Sequence, residues 1–429
     1  MRADPGIASA QRVAREPPTD RRRDVDYLAS SGLRVTIAAA LVAAFASLGL
    51  AAAARADGPG TGTPTVAALG DSYISGEAGR WAGNTKNGQQ YVDALGSTAY
   101  QDTTAGPVIA GCDRSKSEEA YIGGGVNGVD FACSGARTST FTDSDGHFKP
   151  GIDFYDDGAG HQGQAKMLQS YAGSHNVRLV VVSIGGNNYN FASIVQDCVE
   201  DFLSSPSWWP DYCKDDSSVT SNFTPSNVSA VTTRIKNAIL NVKTAMTNAG
   251  YTSSQWTLLL QDYPSPIPNG SGFRYSQSGY TRQSTGGCGF WNADADWANS
   301  TALPTIDNSV LDAGAQAGLS NLKTLEIRSA FNGRRLCENT VGRLEQAGVT
   351  HWDSPGAVDK IEWFQGIRTV TTYGTDYQIQ ESIHPDYYAQ KALRNCVRQA
   401  YNGGTSQGGT CSISANGLNG LGEPNMLLH

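Results

Sequence analysis

The chain has 429 residues, 39% hydrophobic and 17% charged, with 32 Lys and Arg against 40 Asp and Glu. Residues 1–56 hold 8 of the basic and 5 of the acidic residues, so 57–429 keep 24 and 35, a formal charge of −11. That balance excludes charge-driven binding to nucleic acid or to an anionic membrane. The length from 57 onward suits one elaborated domain or two.

The first segment, 1–34, is Arg-rich, and 35–54 is the apolar run "VTIAAALVAAFASLGLAAAA". Ala54-Arg55-Ala56 follows as a cleavage-like triplet. A basic region, an apolar region and an A-x-A-like site read as a secretory signal over 1–56, cut near Ala56. The run is also close to spanning length, but its Ala richness and the triplet favour a signal. The expectation is a secreted, extracellular product without a permanent membrane span, its working domain covering 57–429.

"TVAALGDSYISGEAG" (65–79) is an apolar run that stops on Gly70-Asp71-Ser72. A serine where a buried strand ends is a candidate nucleophile, and a helix N-cap explains it equally well. "GVDFACSG" (128–135) is a second short strand, ending at Gly135. "VRLVVVSIGGNN" (177–188) is a β-branched run that delivers Asn187. "SNVSAVTTRIKNAILNVKTAMTNAG" (226–250) has apolar residues every three or four positions, with Ser226 to cap it and Gly250 to end it. "QWTLLLQDYP" (255–264) is a fourth strand and "LKTLEI" (322–327) a weaker fifth. Between them 304–318 reads as a helix, and 385–404 as another that starts on Pro385 and stops at Gly403.

Strands apolar on both faces, alternating with helices, predict an α/β fold: a three-layer α/β/α sandwich around a parallel sheet of about five strands. In such sheets functional groups gather at the carboxyl ends of the strands. Ser72, Gly135 and Asn187 each follow a different strand and would share that edge. Long insertions separate the elements and hold seven of the eight tryptophans, all but Trp256. They could line a substrate groove or form small cores of their own.

All eight cysteines lie beyond residue 56 and none forms C-x-x-C. An even count in an exported chain argues for disulfides. Pairing neighbours in sequence closes the smallest loops: Cys112–Cys133, Cys198–Cys213, Cys288–Cys337 and Cys396–Cys411. The acidic stretch 143–158 lacks the spacing of a calcium loop, so no metal is expected. "GGGVNG" (123–128) precedes a strand and "GTSQG" (404–408) follows none, so neither is a nucleotide loop nor a nucleophile elbow.

What remains is Gly-Asp-Ser72, Gly135 in "ACSGA", Gly-Gly-Asn187 and "ESIHP" (381–385), in that order. This set resembles the SGNH (GDSL) family of hydrolases, and "QESIHPDYYAQKALRNCVRQAYN" (380–402) resembles its secreted actinobacterial lipases and esterases. The resemblance spans most of 57–429. It implies a flavodoxin-like fold, Ser72 as nucleophile and His384 as its base. It also implies an oxyanion hole from the N–H groups of Ser72 and Gly135 and the amide of Asn187. Serine needs such a base because its hydroxyl is a weak nucleophile. Of the six histidines, His384 alone has an acid three residues before it and a proline after it.

The family usually has Asp where this chain has Glu381, and some members use a backbone carbonyl two residues before the His, here that of Ser382. Glu381 is the favoured partner of His384, with Ser382 as the alternative. Asn188 replaces the family's Asp after Gly-Gly-Asn. The implied activity is hydrolysis of carboxylic esters, foremost lipid or acyl esters, through an acyl-enzyme. No cofactor is required and the protein is expected to be a monomer. A polysaccharide acetylesterase and a non-catalytic binding protein on the same scaffold are the alternatives.

Overall fold

In the computed structural model, residues 57–369 and 376–429 are described. The signal expected over 1–56 lies outside them. β1 (Pro64–Gly70), β2 (Asn127–Asp130), β5 (Asn176–Ser183), β6 (Thr257–Gln261), β7 (Leu322–Glu326), β8 (Gly409–Leu418) and β9 (Pro424–Leu428) form one sheet. β3 (Phe141–Thr142) and β4 (Phe148–Lys149) pair separately as a small antiparallel ribbon. The main sheet runs β2-β1-β5-β6-β7-β8-β9. All neighbours are parallel except the last pair. Val66 to Leu69 and Leu179 to Val182 are fully buried, so both faces of the central strands are covered, as a parallel sheet requires.

The helices flank this sheet. α1 (Ser72–Ser75) is a single turn at the end of β1. α2 (Gln164–Ala172), α3 (Phe191–Ser204), α4 (Pro225–Asn248), α5 (Leu303–Ala317) and α6 (Tyr387–Tyr401) are longer. α2 and α5 both pack against α4, and α6 packs against β9. Among the described residues no helix is long and apolar enough to cross a membrane.

Four sequence expectations need correction. The sheet has seven strands, not about five, because the Gly-rich end pairs as β8 and β9. Its pattern carries little apolar signal; the Cys396–Cys411 bond and the contact of α6 supply the order instead. The second strand is shorter than expected and stops at Asp130, although Phe131 and Cys133 keep hydrogen bonds to β1 beyond it. α4 is capped by Thr224, whose side chain accepts from Asn227 N, with Pro225 in the first turn rather than Ser226 as cap. Likewise Asp386 caps α6 by accepting from Tyr388 N and Ala389 N, so Pro385 precedes the cap.

The sulfurs are bonded as Cys112–Cys133, Cys198–Cys213, Cys288–Cys337 and Cys396–Cys411. Trp81, Trp291 and Trp363 are buried within the insertions, whereas Trp208 and Trp209 face solvent.

Register decides what reaches the working edge. Gly70 pairs with Ser183, so β1 and β5 end level. Gly70 has φ +148°, and a Cβ there would stand 1.9 Å from the Ser183 carbonyl oxygen. Only glycine allows the two strand ends this close. Phe131 N and Cys133 N donate to Ala68 O and Gly70 O, which carries the line of β2 on to Gly135 at the same edge.

Candidate active site

Ser72 opens α1 immediately after β1. Asp71 is the N-cap, its side chain accepting from Tyr73 N at 3.2 Å. The cap is therefore the aspartate, and the Ser72 hydroxyl is left for another partner. That partner is His384: its Nε2 lies 2.6 Å from Ser72 Oγ, in a buried contact. The same ring's Nδ1 lies 3.0 Å from the carbonyl oxygen of Ser382. A carbonyl only accepts, so Nδ1 carries the hydrogen and Nε2 is free to receive one. Burial lowers the His384 pKa to about 4, while the Ser382 contact pulls it back up.

Glu381 does not orient this ring, and the expectation that favoured it is corrected. Its carboxylate points the other way. It accepts from Trp81 Nε1 at 2.9 Å, from Tyr100 OH at 2.6 Å and from Gln378 N at 3.0 Å, with Arg368 Nη1 at 3.7 Å. The extra methylene of Glu carries the charge into this buried nest rather than to Nδ1. Burial raises its pKa above the ordinary carboxylate value, and those donors and Arg368 pull it down.

The carbonyl of Ser382 reaches its own neighbour's ring because the chain reverses at Ile383, whose φ is +62°. A β-branched residue in that region is strained, by roughly 1–3 kcal/mol. The turn is held from both sides. Ile383 N donates to Gln365 O at 2.8 Å, and Ile383 O accepts from Tyr73 OH at 3.0 Å. The Tyr73 ring also packs on the His384 ring, with centroids 5.0 Å apart.

Gly135 sits at φ +73°, with Lys149 3.6 Å from where its Cβ would be. Asn187 Nδ2 donates to Ala136 O at 3.0 Å, tying the turn after β5 to the Gly135 loop. Asn187 and Ser72 line one small cavity, about 30 Å³, with Phe191 and Tyr263. The N–H groups of Ser72 and Gly135 have no hydrogen-bond partner among the described residues. Ser72 and Asn187 thus share one cavity, and the N–H groups of Ser72 and Gly135 are open donors of the type an oxyanion needs.

Three further residues shape the site. Tyr263 OH accepts from Gly186 N at 3.0 Å and donates to Asp71 at 2.5 Å, coupling the turn after β5 to the one after β1. Burial pushes the Asp71 carboxyl up to about 7. Glu77, also buried, lies 3.5 Å from His384 Nε2. Burial first, and then the nearby Asp113 carboxylate, push its pKa well above the usual carboxylate range. Its position in "GDSYISGEAG", five residues past the serine, was the available signal. Tyr263 ends the fourth predicted strand and carried no motif.

A groove of about 460 Å³, with one aliphatic wall and with Gln196, Glu200, Arg368 and Gln380 among its polar residues, reaches His384 between α3 and residues 367–369 and 379–384. Val195, Val199, Leu203 and Ile383 line it, and no tryptophan does among the described residues. The insertions do line a groove, with side chains other than their tryptophans. In the acidic stretch, Asp143, Asp153 and Asp157 accept hydrogen bonds from nearby backbone and side chains.

No family model matches the chain, and no curated protein matches it. Solved structures do. An extracellular lipase from Streptomyces rimosus is 18% identical, covering 79% of this chain and 100% of its own, with a TM-score of 0.39. Phospholipase A1 from Streptomyces albidoflavus NA297 is 17% identical over 79% of this chain and 99% of its own, with a TM-score of 0.41. A family two carbohydrate esterase from Clostridium thermocellum is 11% identical over 80% of this chain and 65% of its own, with a TM-score of 0.33.

Proposed function

We propose that this protein is a secreted serine hydrolase of SGNH type that cleaves carboxylic esters through an acyl-enzyme on Ser72. One observation carries the reading: Ser72 Oγ, His384 Nε2, His384 Nδ1 and Ser382 O form a continuous relay of 2.6 and 3.0 Å contacts. It lies at the carboxyl edge of a parallel sheet, where such chemistry gathers. The four disulfides support an oxidising, exported setting.

In the proposed reaction Ser72 Oγ attacks the ester carbonyl carbon as its proton passes to His384 Nε2. The resulting oxyanion takes hydrogen bonds from Ser72 N, Gly135 N and Asn187 Nδ2, each worth about 3 kcal/mol in the transition state. The Ser382 carbonyl holds the imidazolium through Nδ1. The tetrahedral intermediate expels the alcohol, which takes the proton from Nε2, and leaves the acyl group on Ser72. Water then adds by the same route, with His384 again as base, and releases the acid.

Lipid or long acyl esters are the favoured substrates, supported by the aliphatic wall of the groove at His384. The small cavity beside Ser72 and Asn187 supports a second reading, an acetylesterase that accepts only the shortest acyl group. Fluorophosphonate labelling of the wild type and of Ser72→Ala, with a p-nitrophenyl ester series from acetate to palmitate, tests both. Label lost with Ser72 and turnover beyond butyrate are expected. Turnover confined to acetate would select the acetylesterase, and a folded but unlabelled wild type would leave only a binding protein.

A further inference from the structure

Trp208 and Trp209 are the most exposed large apolar side chains among the described residues, at 81% and 74%. They stand side by side in the loop after α3, which the Cys198–Cys213 bond closes at its base. The loop has its own order: Trp209 N donates to Pro206 O, and Asp211 N to Ser205 Oγ, both at 2.9 Å. Two indoles held in water on an ordered loop form a surface built to be covered.

Five residues before Trp208, at the end of α3, Leu203 is also exposed, at 37%. Leu203, Val199, Val195 and Phe191 recur every four residues on α3, one stripe on one face of a helix. All four line the groove that reaches His384. From Leu203 to Phe191 the stripe runs ~18 Å. The stripe is aliphatic apart from Phe191 and suits hydrocarbon, while Gln196, Glu200, Arg368 and Gln380 supply the polar walls of the same groove.

Charge narrows the partner. Residues 197–216 carry Asp197, Glu200, Asp201, Asp211, Asp215 and Asp216 against Lys214 alone. An anionic surface would be repelled. A zwitterionic lipid surface would not be, and tryptophan settles at such a boundary because it has an apolar body and a polar N–H.

We infer that the Trp208–Trp209 loop docks the protein on a zwitterionic lipid surface, and that the α3 stripe leads an acyl chain from there to Ser72. The second part rests on the proposed ester hydrolysis; the docking does not.

Phosphatidylcholine vesicles test it. The Ser72→Ala protein, which cannot degrade them, should co-float with the vesicles and shift its tryptophan emission to the blue. Adding Trp208→Ser and Trp209→Ser should weaken that partition at least ten-fold with an unchanged circular dichroism melt. Phosphatidylserine mixed into the vesicles should weaken it too. In the protein with Ser72 intact, the same double substitution should leave kcat/KM on soluble p-nitrophenyl butyrate within two-fold. Its rate on vesicle phosphatidylcholine should fall at least ten-fold. Ser72→Ala protein that stays off the vesicles, a double variant that binds them equally well, or tryptophan-dependent binding to insoluble cellulose in their place would overturn the docking. Vesicle binding without turnover of any ester would uphold the docking and defeat the esterase reading.

Discussion

Replacing Glu381 by glutamine separates a side chain that orients the catalytic imidazole from one that holds the loop beneath it. If the carboxylate oriented His384, the change would cost about 10⁴ in kcat, the scale for a lost triad acid. The geometry forecasts something else. A glutamine oxygen at the Oε2 position still accepts from Trp81 Nε1 and Gln378 N. Its amide can donate to Tyr100, whose hydroxyl rotates. What is lost is the charge facing Arg368 at 3.7 Å, an ion pair worth about 1 kcal/mol or less. Glu381→Ala removes the acceptor altogether. It strands the Trp81 and Gln378 N–H groups, at about 1–3 kcal/mol each. The expected pattern is a kcat within about five-fold of wild type for Glu381→Gln, and a melting temperature that falls further for alanine than for glutamine. Steady-state hydrolysis of p-nitrophenyl butyrate with a thermal melt on the same samples reads both. A folded Glu381→Gln protein with kcat down by 10³ or more would refute the assignment of the Ser382 carbonyl.

In the proposed reaction His384 must be neutral to accept the serine proton, so activity should be present above its pKa and lost as pH falls through it. With burial holding that pKa at about 4, kcat/KM should be level from pH 5 to 8 and halve near pH 4; a midpoint above pH 6 would show an imidazole far less desolvated. Asn187→Ala should lower kcat by about 10²–10³, the cost of one oxyanion donor, with little change in KM; a change in KM alone would assign Asn187 to binding. The Cys288–Cys337 bond closes 49 residues and Cys198–Cys213 closes 15. Loop entropy therefore makes the first worth about 4 kcal/mol and the second about 3, and denaturant titration of the paired Cys→Ser variants should rank them so.

The strands with continuous β-branched or Leu runs were legible because burial on both faces demands such residues, and the serine, glycine and asparagine at their ends followed from topology. α3 was legible too, in the spacing of Ile194, Cys198 and Phe202, but its position inside a Ser- and Trp-rich insertion masked it. β8 was not legible: its residues are mostly small or polar, and its pairing depends on a cross-link and a neighbouring helix far from it in sequence. The orienting partner of His384 could not be read from spacing alone. Glu381 and Ser382 are both within reach along the chain, and the backbone angle at Ile383 decides between them. No local pattern announces a left-handed isoleucine.

That isoleucine sets a limit on how the protein can be improved. Heat-tolerance screens reward substitutions that relax left-handed backbone, and 383 accepts such relief from glycine or asparagine. Each would also loosen the reversal that points the Ser382 carbonyl at the His384 ring, and would strip an aliphatic residue from the groove. Variants selected for ruggedness alone should therefore accumulate at this position, sturdy but, on the proposed reaction, sluggish. A screen that scores turnover at every round should leave Ile383 untouched and find its gains elsewhere.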